Sequence, residues 1–302
     1  MPPSESISNR LVLGTVQLGM PYGIANTEGQ PDLDSSEQIV ATAWEGGIRE
    51  FDTAQAYGES EKIMGAVIKG LGIESDARVI SKISPNLDHL SSSHMSRAMD
   101  RSLADLGVSS LYGMMVHGDE ALDMWNHGLG DILKGFVAKG KAVHIGASVY
   151  SPEKAIEALD AEGITMVQVP GNVLDQRFHE AEVFERAEHF GKTIYVRSIF
   201  LQGLLLMKSE AVPSKMRFAQ DRLRAFESLA HNCGISKEHL AMAYIRERCP
   251  HAKVLFGAET PEQVRANLRV WDEPLPIGVV EAANELSQGV EERVVNPSLW
   301  PK

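Results

Sequence analysis

Cysteine is scarce: Cys233 and Cys249 are the two in a chain of 302 residues. Two thiols cannot staple a secreted scaffold, and the opening Met-Pro-Pro-Ser-Glu-Ser stretch lacks both the basic region and the apolar run of a signal peptide. The reading is a reduced, cytoplasmic protein. No uninterrupted apolar run approaches the ~20 residues that span a bilayer, so no membrane role is expected. Basic residues are also in deficit, 29 Lys and Arg against 41 Asp and Glu, a formal net charge of −12. This excludes the broad basic face that nucleic-acid binders need, and an anionic ligand would require a local exception. No composition break or Pro/Ser-rich linker divides the chain, whose 43% hydrophobic content suffices for one large core.

What is present is alternation. Short apolar runs rich in Val and Ile, at 11–15, 48–53, 78–83, 111–117, 143–148, 166–169, 193–198 and 253–257, read as eight strands. Between them, apolar residues recur at three and four, predicting helices over 36–45, 60–69, 95–106, 131–139, 152–161 and 180–189, and later over 221–233, 237–248 and 261–269. Eight strands each followed by a helix predict an α/β fold: a single-domain (β/α)₈ TIM barrel over 1–302, with a doubly wound open sheet as the alternative. The segment 200–220 is long for a connection and reads as a functional loop, as does the shorter 117–130. A proline-rich tail, 272–302, starts loose, has room for one helix near 279–286, and can fold across the barrel mouth.

In such a barrel the chemistry sits at the C-terminal ends of the strands. Those ends are polar here. Strand two ends in Asp52, strand three brings Lys82, strand four His117, strand five Ser148, strand six Gln168, and strand seven Arg197 and Ser198; Tyr57 follows strand two by a few residues. Taken singly, Asp52 reads as a cap, Lys82 as a snorkelling lysine, His117 as a packed core residue and Tyr57 as an interfacial aromatic. Together they point elsewhere. A lysine inside an enclosed strand is costly without a carboxylate nearby, and Asp52 is the natural partner. An ammonium beside a tyrosine hydroxyl is expected to lower the phenol's pKa from its usual value of about 10, making Tyr57 a usable general acid, while His117 donates to the reacting oxygen.

The runs Leu13-Gly14-Thr15-Val16-Gln17-Leu18-Gly19 and Phe51-Asp52-Thr53-Ala54-Gln55-Ala56-Tyr57-Gly58-Glu59-Ser60-Glu61 resemble the opening signature of the aldo-keto reductases. Further similar elements are Ile80-Ser81-Lys82, Val116-His117, Gly140-Lys141 through Ile145-Gly146-Ala147-Ser148, and Gly257-Ala258 through Gln263 and Asn267-Leu268. The resemblance covers roughly residues 11–268. It implies an NAD(P)(H)-dependent oxidoreductase that interconverts an aldehyde or ketone, sugar-derived carbonyls included, and an alcohol. Tyr57 is then the proton donor, Asp52 and Lys82 tune it, His117 orients the carbonyl, and Gln168 holds the cofactor's carboxamide beside Ser148. Gly14, Thr15, Asp52, Arg197, Ser198, Gly257, Gln263 and Asn267 complete the implied cofactor contacts. The pattern departs from the family in two places: Val149 stands where an asparagine usually follows Ser148, and Arg197 where an aromatic often stacks on the nicotinamide.

The family usually prefers the phosphorylated cofactor, which puts NADP(H) slightly ahead of NAD(H). The residues after strand eight pull the other way: Glu259 and Glu262 flank a helix start, Thr260 and Gln263 form a capping-box pattern, and only Arg265 or Arg269 offers an offset. Other barrel chemistries find little support. A Schiff-base lyase wants a lysine near strand six, a metal hydrolase wants paired histidines early, and 11–19 and 166–169 have neither, so no metal is expected. A cofactor-binding regulatory subunit without turnover is the remaining alternative. Lining loops carrying Met124, Trp125, Asp119, Glu120, Phe200, Leu201 and Gln202 are compatible with several small-molecule substrates.

Overall fold

Eight parallel strands pair in chain order and close on themselves. They are β1 (Leu11–Gly14), β2 (Glu50–Asp52), β3 (Arg78–Lys82), β4 (Leu111–His117), β5 (Ala142–Ser148), β6 (Met166–Pro170), β7 (Thr193–Arg197) and β8 (Lys253–Gly257). Closure is made by β1 and β8, whose register sets Gly14 beside Gly257. The chain is therefore a single-domain (β/α)₈ barrel, seen in a computed structural model that describes residues 7–301. The opening stretch on which the leader reading rests lies outside the described residues. Among the described residues, no helix is long and apolar enough to cross a membrane.

Strand positions agree with the sequence pattern to within a few residues, the largest difference being at β2. There the fully buried Ile48 belongs to the turn before the strand: its N–H donates to Ala43 O at 3.0 Å and closes the helix Leu33–Glu45. Helices begin where a short polar side chain accepts from the N–H three residues on, as Asp32, Ser91, Ser151, Ser236 and Thr260 do. The expected helix 180–189 is instead two, Arg177–Glu180 and Val183–His189, because Glu182 takes a left-handed conformation with φ 55°. The segment 200–220 is built from three 3₁₀ turns, Leu204–Leu206, Ser209–Ala211 and Ser214–Ala219, and the tail contains a helix at Val279–Leu286.

Most apolar side chains fill the layer between strands and helices. A smaller cluster, Val12, Ile80, Met115, Met166, Tyr195 and Leu255, fills the barrel itself. Strand side chains alternate, so the residue two positions further on also points inward. Applied to each strand, that rule gives Gly14, Lys82, His117, Gln168, Arg197 and Gly257. Glu50 completes the pattern for β2: it accepts from the Tyr195 hydroxyl at 2.9 Å inside the barrel, so Asp52 is the inward residue above it. Glu50 also pairs with Lys253 at 2.9 Å and Arg78 at 3.6 Å, which closes the N-terminal end with a satisfied charge cluster. The open chemistry is left to the other end.

Candidate active site

Asp52 is the hub of that end. It is 3% exposed, and its two oxygens are both engaged: Lys82 Nζ donates to Oδ1 at 2.6 Å, and Gln168 Nε2 to Oδ2 at 2.8 Å. Lys82, fully buried, donates a second bond to Thr53 O at 2.9 Å. Ser148 Oγ in turn donates to Gln168 Oε1 at 2.9 Å. A continuous chain thus runs from Ser148 through Gln168 and Asp52 to Lys82. The β5–β6 register, with Ser148 opposite Gln168, makes its first link unavoidable.

Tyr57 sits above this chain on a loop that is pinned from below. A Cβ at Gly19 would fall 1.9 Å from Tyr57 O, and one at Gly58, where φ is 56°, would fall 2.3 Å from Gly19 O. Only glycines allow the two backbones so close. Ser60 Oγ reinforces the contact by donating to Thr15 O at 2.8 Å, and Thr53 Oγ1 donates to Ser60 Oγ at 2.9 Å. Gln55 ties the loop to the next helix, donating to Ala98 O at 3.0 Å while its Oε1 accepts from Ser84 N. The result sets the Tyr57 ring edge-on to His117, centroids 5.9 Å apart, with Lys82 Nζ 5.0 Å from the Tyr57 centroid.

The electrostatics differ from the expected pattern in one respect. Tyr57 is pushed above the ordinary phenol range, first by burial and then by the Asp52 charge, and Arg197 is the cation that opposes this. The shift is set by burial and the Asp52 charge, and not by the ammonium expected to lower it. Burial lowers Lys82 itself, with Asp52 working in the opposite direction. His117 is brought down to about 3 by burial, then by Lys82 and Arg197, and is neutral near pH 7; its Nδ1 is buried with no partner among the described residues.

These groups open onto a cavity of about 840 Å³ that runs from Tyr57 and His117 to the end of β8, a size within the range of small-molecule and cofactor pockets, roughly 300–1,000 Å³. Of the residues expected to hold a cofactor, Gly14, Thr15, Asp52, Arg197, Ser198, Gly257, Gln263 and Asn267 line it, whereas Ser148 and Gln168 lie buried behind its wall. The Thr15 hydroxyl is already committed, donating to Asp52 O at 2.9 Å. Gln263 Oε1 accepts from Glu259 N at 2.7 Å, a helix-start bond one residue earlier than a capping box would make it. Glu259 faces the cavity, but Glu262 is turned away and held by Arg265 at 2.5 Å; Arg269 lines the wall instead. Asn172 serves a turn, accepting from Leu174 N at 3.0 Å.

Sequence reasoning missed Gln17, Tyr22 and Tyr150 as lining residues, and placed others too generously. Trp125 is buried and donates to Glu162 O at 3.1 Å, and Asp119 accepts from Tyr150 N at 2.8 Å, so the 117–130 segment supports the site from outside. The opposite wall is strained. Ser198, Leu201 and Gln202 all have positive φ, at a cost of roughly 1–2 kcal/mol each, and Gly203 follows in the same region, where a Cβ would lie 2.7 Å from Ala25 Cβ. That run docks on the loop after β1 through Ile24 N donating to Gln202 O at 3.0 Å. Strain of this kind concentrates at functional sites.

The chain belongs to the Aldo/keto reductase family, which it matches over residues 10–288. It is 26% identical over 281 residues to a putative voltage-gated potassium channel subunit beta of Schizosaccharomyces pombe, covering 79% of each chain. It is 24% identical to an NADH-specific methylglyoxal reductase of Escherichia coli, covering 94% of this chain and 96% of that protein. In structure it is similar to an aldo-keto reductase from Bacillus halodurans in its holo form, with a TM-score of 0.77, 20% identity and 95% of each chain covered.

Proposed function

We propose that this chain is a nicotinamide-dependent oxidoreductase that reduces the carbonyl of a small molecule, with Tyr57 as proton donor. The observation that carries the reading is the convergence on one cavity of Tyr57 and a neutral His117, above a buried Asp52–Lys82 pair that is 2.6 Å apart. A nicotinamide cofactor, when bound, supplies or takes up the hydride. The wall suits such a group: Gly257 has no Cβ where one would meet Gln17 at 2.3 Å, Gln17 Oε1 is buried with no partner among the described residues, and the buried Asn267 lines the same cavity. Gly14, Ser198, Gly257, Gln263 and Asn267 would hold it.

Tyr57 retains its proton at neutral pH, so it is ready to give one to a developing alkoxide and unready to take one from an alcohol. Neutral His117 directs the carbonyl oxygen toward that hydroxyl by hydrogen bonding. Lys82 and Asp52 hold the polar floor in one arrangement, and Ser148 and Gln168, whose expected partner is the carboxamide, position Asp52. The family lead of NADP(H) over NAD(H) is opposed by Glu259 on the cavity wall, so discrimination is modest. Pro297 and Ser298, on the same wall, give the tail the role of covering the mouth.

A second reading, a cofactor-binding regulatory subunit, is favoured by the likeness to proteins named as channel subunits. Following nicotinamide absorbance with both reduced cofactors and a panel of aldehydes and sugars separates the two. Turnover supports the reductase; cofactor binding without turnover on any carbonyl supports the subunit and overturns the first reading.

A further inference from the structure

Arg197, expected from sequence to hold the cofactor, lines the cavity beside the reacting groups. Tyr195 fills the barrel, so Arg197, two residues on, points inward at the mouth. Its guanidinium carbon lies 4.2 Å from the Tyr150 ring centroid. Its hydrogen bonds are long and go to neutral acceptors: Nη2 to Val149 O and Nη1 to Ser198 Oγ, each at 3.3 Å. Lys82, Lys253 and Arg177 meet carboxylates, Asp52, Glu50 and Asp175 in turn, while Arg10 and Arg49, away from the cavity, are held by backbone carbonyls and a tryptophan face. Among the described residues, no carboxylate comes within 4.0 Å of Arg197, although Asp52, Glu238 and Glu259 line the same cavity. In a chain of net charge −12, a half-buried arginine at a cavity wall, with no carboxylate beside it among the described residues, offers its fork of N–H donors to an anion.

We infer that Arg197 binds a carboxylate carried by the substrate, so that the carbonyl compounds taken by this site are acidic ones. The inference rests on the reductase reading above and deepens it. Arg197 lines the same cavity as Tyr57 and His117, which places the anion on the molecule that carries the reacting oxygen. The charge of Arg197 is felt by both Tyr57 and His117, the groups that flank the reacting oxygen. Tyr22 and Tyr150, on the same wall, add hydroxyls suited to the remaining carboxylate lone pairs.

The test compares glyoxylate, succinic semialdehyde and 4-carboxybenzaldehyde with their methyl esters. The wild type should favour the acids in kcat/KM. In Arg197→Gln the acid-over-ester ratio should fall roughly 10- to 100-fold, the range set by a charged hydrogen bond, chiefly through KM, with Arg197→Lys in between. Cofactor Kd by fluorescence quenching is the control. A wild type that prefers the esters, an unchanged ratio in the variant, or a cofactor affinity lost in proportion each overturns the inference. If no carbonyl is reduced at all, the reductase reading fails by itself, and calorimetry with succinate and benzoate decides the site: weaker binding to Arg197→Gln supports it, and equal or absent binding to both proteins overturns it.

Discussion

Removing one partner of the Asp52–Lys82 pair should cost far more than removing both. Lys82 is fully buried and Asp52 is 3% exposed, at a separation of 2.6 Å, so Lys82→Met leaves a carboxylate in the barrel with Gln168 as its main remaining donor. Breaking a buried pair in this way costs about 3–5 kcal/mol, because the surviving charge has lost its compensation. For 302 residues, an unfolding entropy of about 2.1 cal/mol/K per residue converts that into a drop in Tm of roughly 5–8 °C. Asp52→Asn should lose a similar amount, since it strands the ammonium. The double variant removes both charges and should recover about 2 kcal/mol or more relative to the sum of the singles. Scanning calorimetry or chemical denaturation of the four proteins measures the cycle. Single variants that lose under about 1 kcal/mol, or strictly additive losses, would refute the claim that the pair is desolvated and mutually dependent.

Glu259→Gln should raise the preference for NADP(H) over NAD(H) several-fold, because a charge on the cavity wall beside a helix start is removed; cofactor titrations by fluorescence quenching read the ratio. The wild-type ratio should stay within about 10-fold, equivalent to about 1.4 kcal/mol. His117 should stay neutral down to about pH 4, its folded pKa being about 3 against 6.5 when exposed, so NMR of labelled histidine should show no inflection near 6.5 for this ring. Because the unfolded chain takes up that proton first, His117 contributes stability that is complete above about pH 6.5 and is lost as pH falls toward 3; His117→Gln should flatten part of that slope.

Much of the site could be read from sequence because of one regularity. Where an apolar strand alternates, a polar residue at its inward end is costly unless used, and this exposes Lys82, His117, Gln168 and Arg197 directly. The Gly19–Gly58 contact explains why a glycine-flanked tyrosine segment is so recognisable. Other features depend on side-chain trajectories that no local pattern encodes. Tyr22 and Tyr150 reach the cavity from loops, Trp125 turns away into Glu162 O, and Glu262 swings to Arg265 while Glu259 faces inward. The tuning of Tyr57 was legible only in part. The pairing of Lys82 with Asp52 followed from burial cost, but burial and the Asp52 charge outweigh the lowering that Lys82 was expected to supply.

The central claim is that Tyr57 delivers the proton, and Tyr57→Phe tests it with the ring packing retained. Cofactor Kd should remain within a few-fold of the wild type, while kcat for carbonyl reduction, followed by nicotinamide absorbance, should fall about 100-fold or more, the contribution expected of a positioned general acid. Turnover within a few-fold of the wild type, at unchanged cofactor affinity, would contradict the account.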